Sequence, residues 1–127
     1  MSPSWTPRAE RRAFGRRAEE FACAWLERQG ARVVARNVHL RHAELDVIAM
    51  DGDALCFVEV RARRGALASA FESVDRRKQQ RIIRAAAEAL ARFALPRHAR
   101  VRFDVIAVDP AATPPAIEWL RDAFHVK

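Results

Sequence analysis

Two short stretches hold the residues that could do chemistry. They are Ala43-Glu44-Leu45-Asp46-Val47-Ile48 and Phe57-Val58-Glu59-Val60-Arg61. Three carboxylates and one guanidinium are interleaved with strand-forming residues, and Asp51-Gly52 stands between the halves. Acids inside apolar strands are costly unless a cation offsets them. A divalent metal in that role makes a phosphodiesterase site. Arg61 alone in that role makes a structural ion cluster. A two-residue turn at Asp51-Gly52 sets Asp46 opposite Phe57 and Glu44 opposite Glu59. Glu44, Asp46, Glu59 and Arg61 then share one face, with Asp46 and Glu59 diagonal neighbours roughly 6–8 Å apart at Cβ. Magnesium suits such oxygen donors, and bound there it activates water and neutralises charge on a phosphate. A slip of one residue would send Glu59 to the other face and destroy the cluster.

The elements that must position these residues follow from periodicity. Thr6-Pro7 is an N-cap followed by proline at the first helical position. Phe14, Ala18, Phe21, Ala22, Trp25 and Leu26 recur at helical spacing, and Gly30 ends that helix. Glu19 borders its apolar face. Strands are expected over Arg32–Asn37, Glu44–Met50 and Ala54–Arg61, the last two as a hairpin. Arg63–Ser69 reads as a loop. A long helix is expected from about Ser73 to Leu95, with Val74, Ile82, Ile83, Ala86, Leu90 and Phe93 as its buried stripe. Val101–Val108 alternates as a strand, Asp109–Pro115 is a turn, and Ile117–Leu120 is a short edge strand. The order points to an α/β sandwich with one central mixed sheet. The long helix crosses over between two of its strands, in the right-handed sense.

The chain has 127 residues, enough for one domain, with residues 1–7 expected to be flexible. It carries 23 basic and 16 acidic side chains, a net charge of +7, which favours a polyanionic partner. Arginine supplies most of that charge, and its planar fork suits phosphate. No segment reads as a signal peptide, and no run approaches the ~20 apolar residues of a membrane span, so a cytoplasmic protein without a membrane partner is expected. Cys23 and Cys56 lack zinc spacing and read as reduced, buried thiols. His39 and His42 lie just before Glu44 and read as solvated loop residues.

At these motifs the sequence resembles a known family. Phe14-Gly15-Arg16-Arg17-Ala18-Glu19-Glu20-Phe21-Ala22, Arg36-Asn37, Glu44-Leu45-Asp46-Val47-Ile48, Phe57-Val58-Glu59-Val60-Arg61-Ala62-Arg63, Val74-Asp75-Arg76-Arg77-Lys78 and Arg102-Phe103-Asp104-Val105-Ile106-Ala107 fall in its order and spacing. It is the YraN-like set of bacterial proteins, described as predicted endonucleases. It resembles the restriction-endonuclease-like, PD-(D/E)XK superfamily, alongside archaeal Holliday junction resolvases and the tRNA endonuclease-like domain. The resemblance implies a Mg²⁺ or Mn²⁺ site with Asp46, Glu59 and the Val60 carbonyl as ligands. It implies Arg61 in the place of the motif lysine, Glu19 as an acid from the first helix, and Lys78 as a basic residue opening the crossover helix. It also implies a nucleic-acid substrate, DNA foremost, and a homodimer as one state. Ala43 stands where the family has glycine. The larger departure is Arg61, because arginine keeps its charge but effectively never gives up its proton.

Arg61, Arg63, Arg64, Arg76, Arg77, Lys78, Arg81 and Arg84 follow the acidic motif closely, and Arg77, Arg81 and Arg84 recur on one helix side. Such a surface grips a phosphate backbone without reading sequence. A solvated helix face is the plainer account. Three functions stay open at this point: a metal-dependent endonuclease on structured DNA, a nucleic-acid-binding module without turnover, and a protein-interaction subunit.

Overall fold

The computed structural model describes residues 6–65, 67–96 and 99–126. Of residues 1–7, expected to be flexible, residues 1–5 lie outside the described residues, and Thr6 and Pro7 form the start of the first helix. The chain runs α1 (Pro7–Arg28), β1 (Arg32–His39), β2 (Glu44–Asp51), β3 (Ala54–Ala62), α2 (Ala68–Glu72), α3 (Arg76–Arg92), β4 (Arg100–Asp109) and β5 (Ala116–Phe124). It is a mixed α/β domain with five strands in the order β1-β2-β3-β4-β5. Neighbours are antiparallel except β3 and β4, which run parallel because α2 and α3 carry the chain back between them.

Local signals set the helix ends. Thr6 Oγ1 accepts from the Ala9 N–H at 3.1 Å, and Pro7 opens α1. The Ala31 N–H donates to the Leu26 carbonyl and the Gly30 N–H to that of Glu27, with Gly30 at φ +94°. That pair of bonds is the Schellman arrangement, which needs the left-handed conformation glycine supplies. The helix expected over Ser73–Leu95 is shorter, Arg76–Arg92, and a separate short helix, α2, occupies the end of the expected Arg63–Ser69 loop and the residues after it. The Asp75 carboxylate accepts from the Lys78 N–H at 2.9 Å and starts α3 afresh. Helix α3 also stops short of Leu95, and Phe93 lies outside its buried stripe, 39% exposed.

Two apolar layers flank the sheet. Ala18, Ala22, Cys23 and Leu26 of α1 pack on Val47, Ala49, Cys56, Val58, Val60, Ile106 and Val108. Ile82, Ala85, Ala86 and Ala89 of α3 pack with Leu45, Ile48, Leu55, Phe57, Phe103 and Val105. Small alanines on α3 let the helix lie close to the sheet, which brings its first turn within reach of β3. Both cysteines are free and buried, and burial pushes the Cys56 thiol up to about 12. No helix among the described residues is long and apolar enough to cross a membrane.

Edge strand β5 runs nine residues, Ala116–Phe124, where the alternation marks only four. Its extension carries an ion network built on Asp104, which is fully buried. Arg102 grips Asp104 through Nε and Nη2, both at 2.9 Å, and reaches Asp51 at 2.8 Å. Trp119 Nε1 and the Asp122 N–H each donate to Asp104 at 2.9 Å. The network pins β5 to β4 at the point where their register shifts.

Candidate metal centre

The acids meet where the hairpin ladder ends. Asp51 pairs with Ala54 and Val47 with Val58, so the turn is Gly52-Asp53 with Gly52 at φ +61°. The expected register is therefore off by two residues. A shift of two preserves sheet faces, and it moves Asp46 from diagonal to directly opposite Glu59. Their carboxyls stand close enough for the Glu59 charge to act on Asp46.

The alternation of β2 reverses at Asp46. Val47 joins the core under α1, while Leu45, two residues away, joins the core under α3. Across the ladder, Arg36 pairs with Val47 and Val38 with Leu45. Asn37 lies between them at φ +51°, a conformation asparagine tolerates better than most residues. The reversal turns Asp46 toward β3. There its Oδ2 accepts from the Val60 N–H at 2.9 Å, the next β3 donor past the last pair of the ladder.

Glu44 consequently leaves the group that alternation alone assigns it to. It lies beside Glu19 of α1. The Asn37 amide nitrogen bridges the two, donating to Glu19 Oε1 at 2.8 Å and to Glu44 Oε1 at 3.2 Å. His39 Nδ1 is 3.7 Å from Glu44 and takes no part in the Asp46–Glu59 pair. Among the described residues no three His, Cys, Asp or Glu side chains stand close enough to hold a metal by themselves.

Glu59 is buried, and two cations share its Oε2. Arg61 Nη2 is 3.3 Å away and Lys78 Nζ 3.6 Å. Lys78 thus brings a primary amine from α3 to Glu59, placed there by the Asp75 cap. Arg61 Nε is buried without a hydrogen-bond partner. An orphaned donor of this kind is costly, and an acceptor such as a phosphate oxygen would satisfy it.

Burial pushes the Asp46 carboxyl up to about 8. The neighbouring Glu59 charge adds to the rise, and the Val60 N–H and Lys78 oppose it. Glu19 is pushed up to about 7, by burial first and then by Asp46 and Glu44. A carboxyl raised in the folded state stabilises the fold below its unfolded pKa, and that stability is lost as pH rises through the folded value. In the metal-free protein the Asp46 contribution is therefore present near pH 4 and gone above about pH 8. Asp46→Asn keeps an oxygen for the Val60 N–H and offers an amide to Glu59. It is expected to raise unfolding stability at pH 8.5 by about 0.5–2 kcal/mol over wild type, with the gain shrinking toward pH 5. Urea melts at both pH values measure this, and an Asn variant less stable than wild type at pH 8.5 would contradict it.

The remaining basic residues do not converge on the acids. Arg63 Nη1 donates to the Ala62 carbonyl at 2.8 Å, and the Arg64 guanidinium lies 4.7 Å from the Phe14 ring centroid. Arg76, Arg77, Arg81 and Arg84 are all exposed on α3. Arg77, Arg81 and Arg84 fall within about 60° of one another around the helix, and Arg76 stands apart. Arg84 lies between two clefts, one shared with Arg76 and His125, the other with Arg41 and His42. Sequence reasoning did not find Asn37 as the bridge between Glu19 and Glu44. An asparagine inside a strand pattern was the available signal, since it marks a left-handed residue.

Residues 18–108 match the family described as "Uncharacterised protein family UPF0102". A UPF0102 protein of Halorhodospira halophila is 46% identical over 126 residues, 98% of this chain and 97% of its own. One from Pseudomonas paraeruginosa is 45% identical over 122 residues, covering 94% and 98% of the two chains. Another, from Nitrosococcus oceani, is 40% identical over 120 residues, covering 94% and 97%.

Proposed function

The chain belongs to the UPF0102 family, and on that footing we propose that it is a metal-dependent phosphodiesterase acting on nucleic acid, DNA foremost. The observation that carries this reading is the Asp46–Glu59 pair at the mouth of the hairpin, with Lys78 and Arg61 both on Glu59. A purely structural ion cluster would leave Arg61 Nε satisfied.

The donors suit a hard cation. Asp46, Glu59 and the Val60 carbonyl would hold Mg²⁺ or Mn²⁺, which commonly takes one or two carboxylates and leaves its other positions to water and phosphate. When bound, the ion supplies an acidified water and offsets the charge that develops on the phosphate. The chain's own groups have separate tasks. The Val60 N–H fixes the orientation of Asp46. Arg61 offers its free Nε–H to a phosphate oxygen, a bond that strengthens as that oxygen gains charge. Lys78 Nζ, beside Glu59, can donate a proton and take one back, which Arg61 cannot. Glu19 is held by Asn37 on the α1 side, near enough to feel the Asp46 charge.

Calorimetric titration of Mn²⁺ into wild type and Asp46→Ala tests the metal centre. One ion per chain is expected in wild type and none in the variant, with cleavage of end-labelled DNA lost alongside. Wild type that takes up no Mn²⁺, or a variant that binds it equally, would overturn the proposal. Salt-sensitive DNA binding without metal uptake would instead establish the module without turnover.

A further inference from the structure

Gly15 sits in the interior of α1, eight residues past the helix start. Glycine there costs helix stability relative to alanine. Packing does not call for it, because a Cβ built at Gly15 meets nothing within 4 Å. Its φ is not in the left-handed range either. The space over Gly15 is a cleft of about 400 Å³ lined by Arg12, Arg16, Glu19, Asn37, His39 and Glu44. Arg12 and Arg16 are one turn apart and flank the glycine. Among the described residues neither makes an ion pair within 4 Å. Asn37, His39 and Glu44 form the wall across from α1, and Glu19, one turn beyond Gly15, is near enough to Asp46 to feel its charge.

From this we infer that the α1 cleft seats the phosphodiester backbone of the strand beside the bond to be cut, with one phosphate over Gly15 between Arg12 and Arg16. The inference rests on the nucleic-acid reading above and moves the grip from α3 to α1. Three features support the seat. Two unpaired guanidiniums one turn apart can take the two free oxygens of one phosphate. A missing side chain lets a sugar-phosphate backbone approach the helix closely. Glu19 links the cleft to Asp46, whose charge it feels, so a strand lying in the cleft passes beside the Asp46–Glu59 centre. Arg84 of α3 opens instead onto clefts lined by Arg76 and His125 or by Arg41 and His42.

Fluorescence anisotropy with a labelled 15-nucleotide single-stranded DNA in EDTA reads this seat without metal or turnover. Gly15→Ala is expected to melt at a higher temperature than wild type yet bind about threefold or more weakly. Gly15→Leu fills the seat and should lose roughly tenfold, with its melt checked beside it. Arg12→Gln with Arg16→Gln should flatten the dependence of log affinity on log salt by about 0.7, the value for one phosphate of a single strand. Arg92→Gln with Arg100→Gln removes the same charge away from the cleft and should lose less. Equal losses from the two pairs, or Gly15→Leu binding like wild type, would overturn the inference. Wild type that binds no DNA at all would instead overturn the nucleic-acid reading beneath it.

Discussion

Lys78→Arg is expected to slow metal-dependent DNA cleavage by about 10²–10⁴, the range for a lost general acid–base group. The charge beside Glu59 persists in this variant, so fold, Mn²⁺ uptake and strand binding should stay near wild type. What disappears is a proton that can leave, because a guanidinium holds its own at any ordinary pH. Single-turnover cleavage of an end-labelled duplex, run beside Mn²⁺ calorimetry, separates these effects. Arg61→Lys completes the comparison. If Lys78 already supplies the amine, restoring a lysine at 61 should change the rate by well under the Lys78 effect. A Lys78→Arg protein that cuts like wild type would remove Lys78 from the chemistry. A large gain from Arg61→Lys would show that the strand position, not the helix position, is the one that matters. Both residues reach the same Glu59 oxygen, at 3.3 and 3.6 Å, so Glu59→Gln should disturb the two together.

The largest stability effect is expected far from these acids. Asp104→Ala should cost about 3–5 kcal/mol, the usual result of removing one partner from a buried ion pair. Four donor hydrogen bonds end on the Asp104 carboxylate: two from Arg102 and one each from Trp119 and the Asp122 backbone. Alanine leaves them all without an acceptor, and Arg102 keeps only Asp51. At this chain length the melting temperature should fall by roughly 10–20 °C. Asp104→Asn should recover little, because its amide nitrogen would face donors. Thermal melts of the two variants check this. A loss under 1 kcal/mol for alanine would mean that water satisfies the network.

Asp104 also shows what a linear reading misses. In the sequence it sits in an alternating strand, Arg102-Phe103-Asp104-Val105, with nothing to set it apart from a solvated acid. Only the arrival of Trp119 and Asp122, 15 and 18 residues later, makes it a buried hub. The late start of α3 has a similar origin: the spacing places it at about Ser73, and in the fold the Asp75 carboxylate takes the Lys78 N–H and starts the helix at Arg76.

Within one element, chemistry follows from local period and local caps. Alternation alone brought Asp46 and Glu59 together, and this survived a turn displaced by one residue because that shifts the pairing by two and faces repeat every two. Thr6-Pro7 and Gly30 likewise marked the ends of α1 through bonds only a few residues long. Glu44 failed the same arithmetic, because Asn37 reverses the strand pair and no count along β2 registers a left-handed residue on its neighbour. Contacts between elements obey no period. Lys78 meets Glu59 because alanines seat α3 close to the sheet, and Gly15 opens a cleft because β1 and β2 bring Asn37, His39 and Glu44 across from it. The sequence by itself determined the acids, the meeting of Asp46 with Glu59 and the cationic surplus. The tertiary structure decided which amine, which amide and which arginines stand beside them, since those distances are set by how side chains pack between layers.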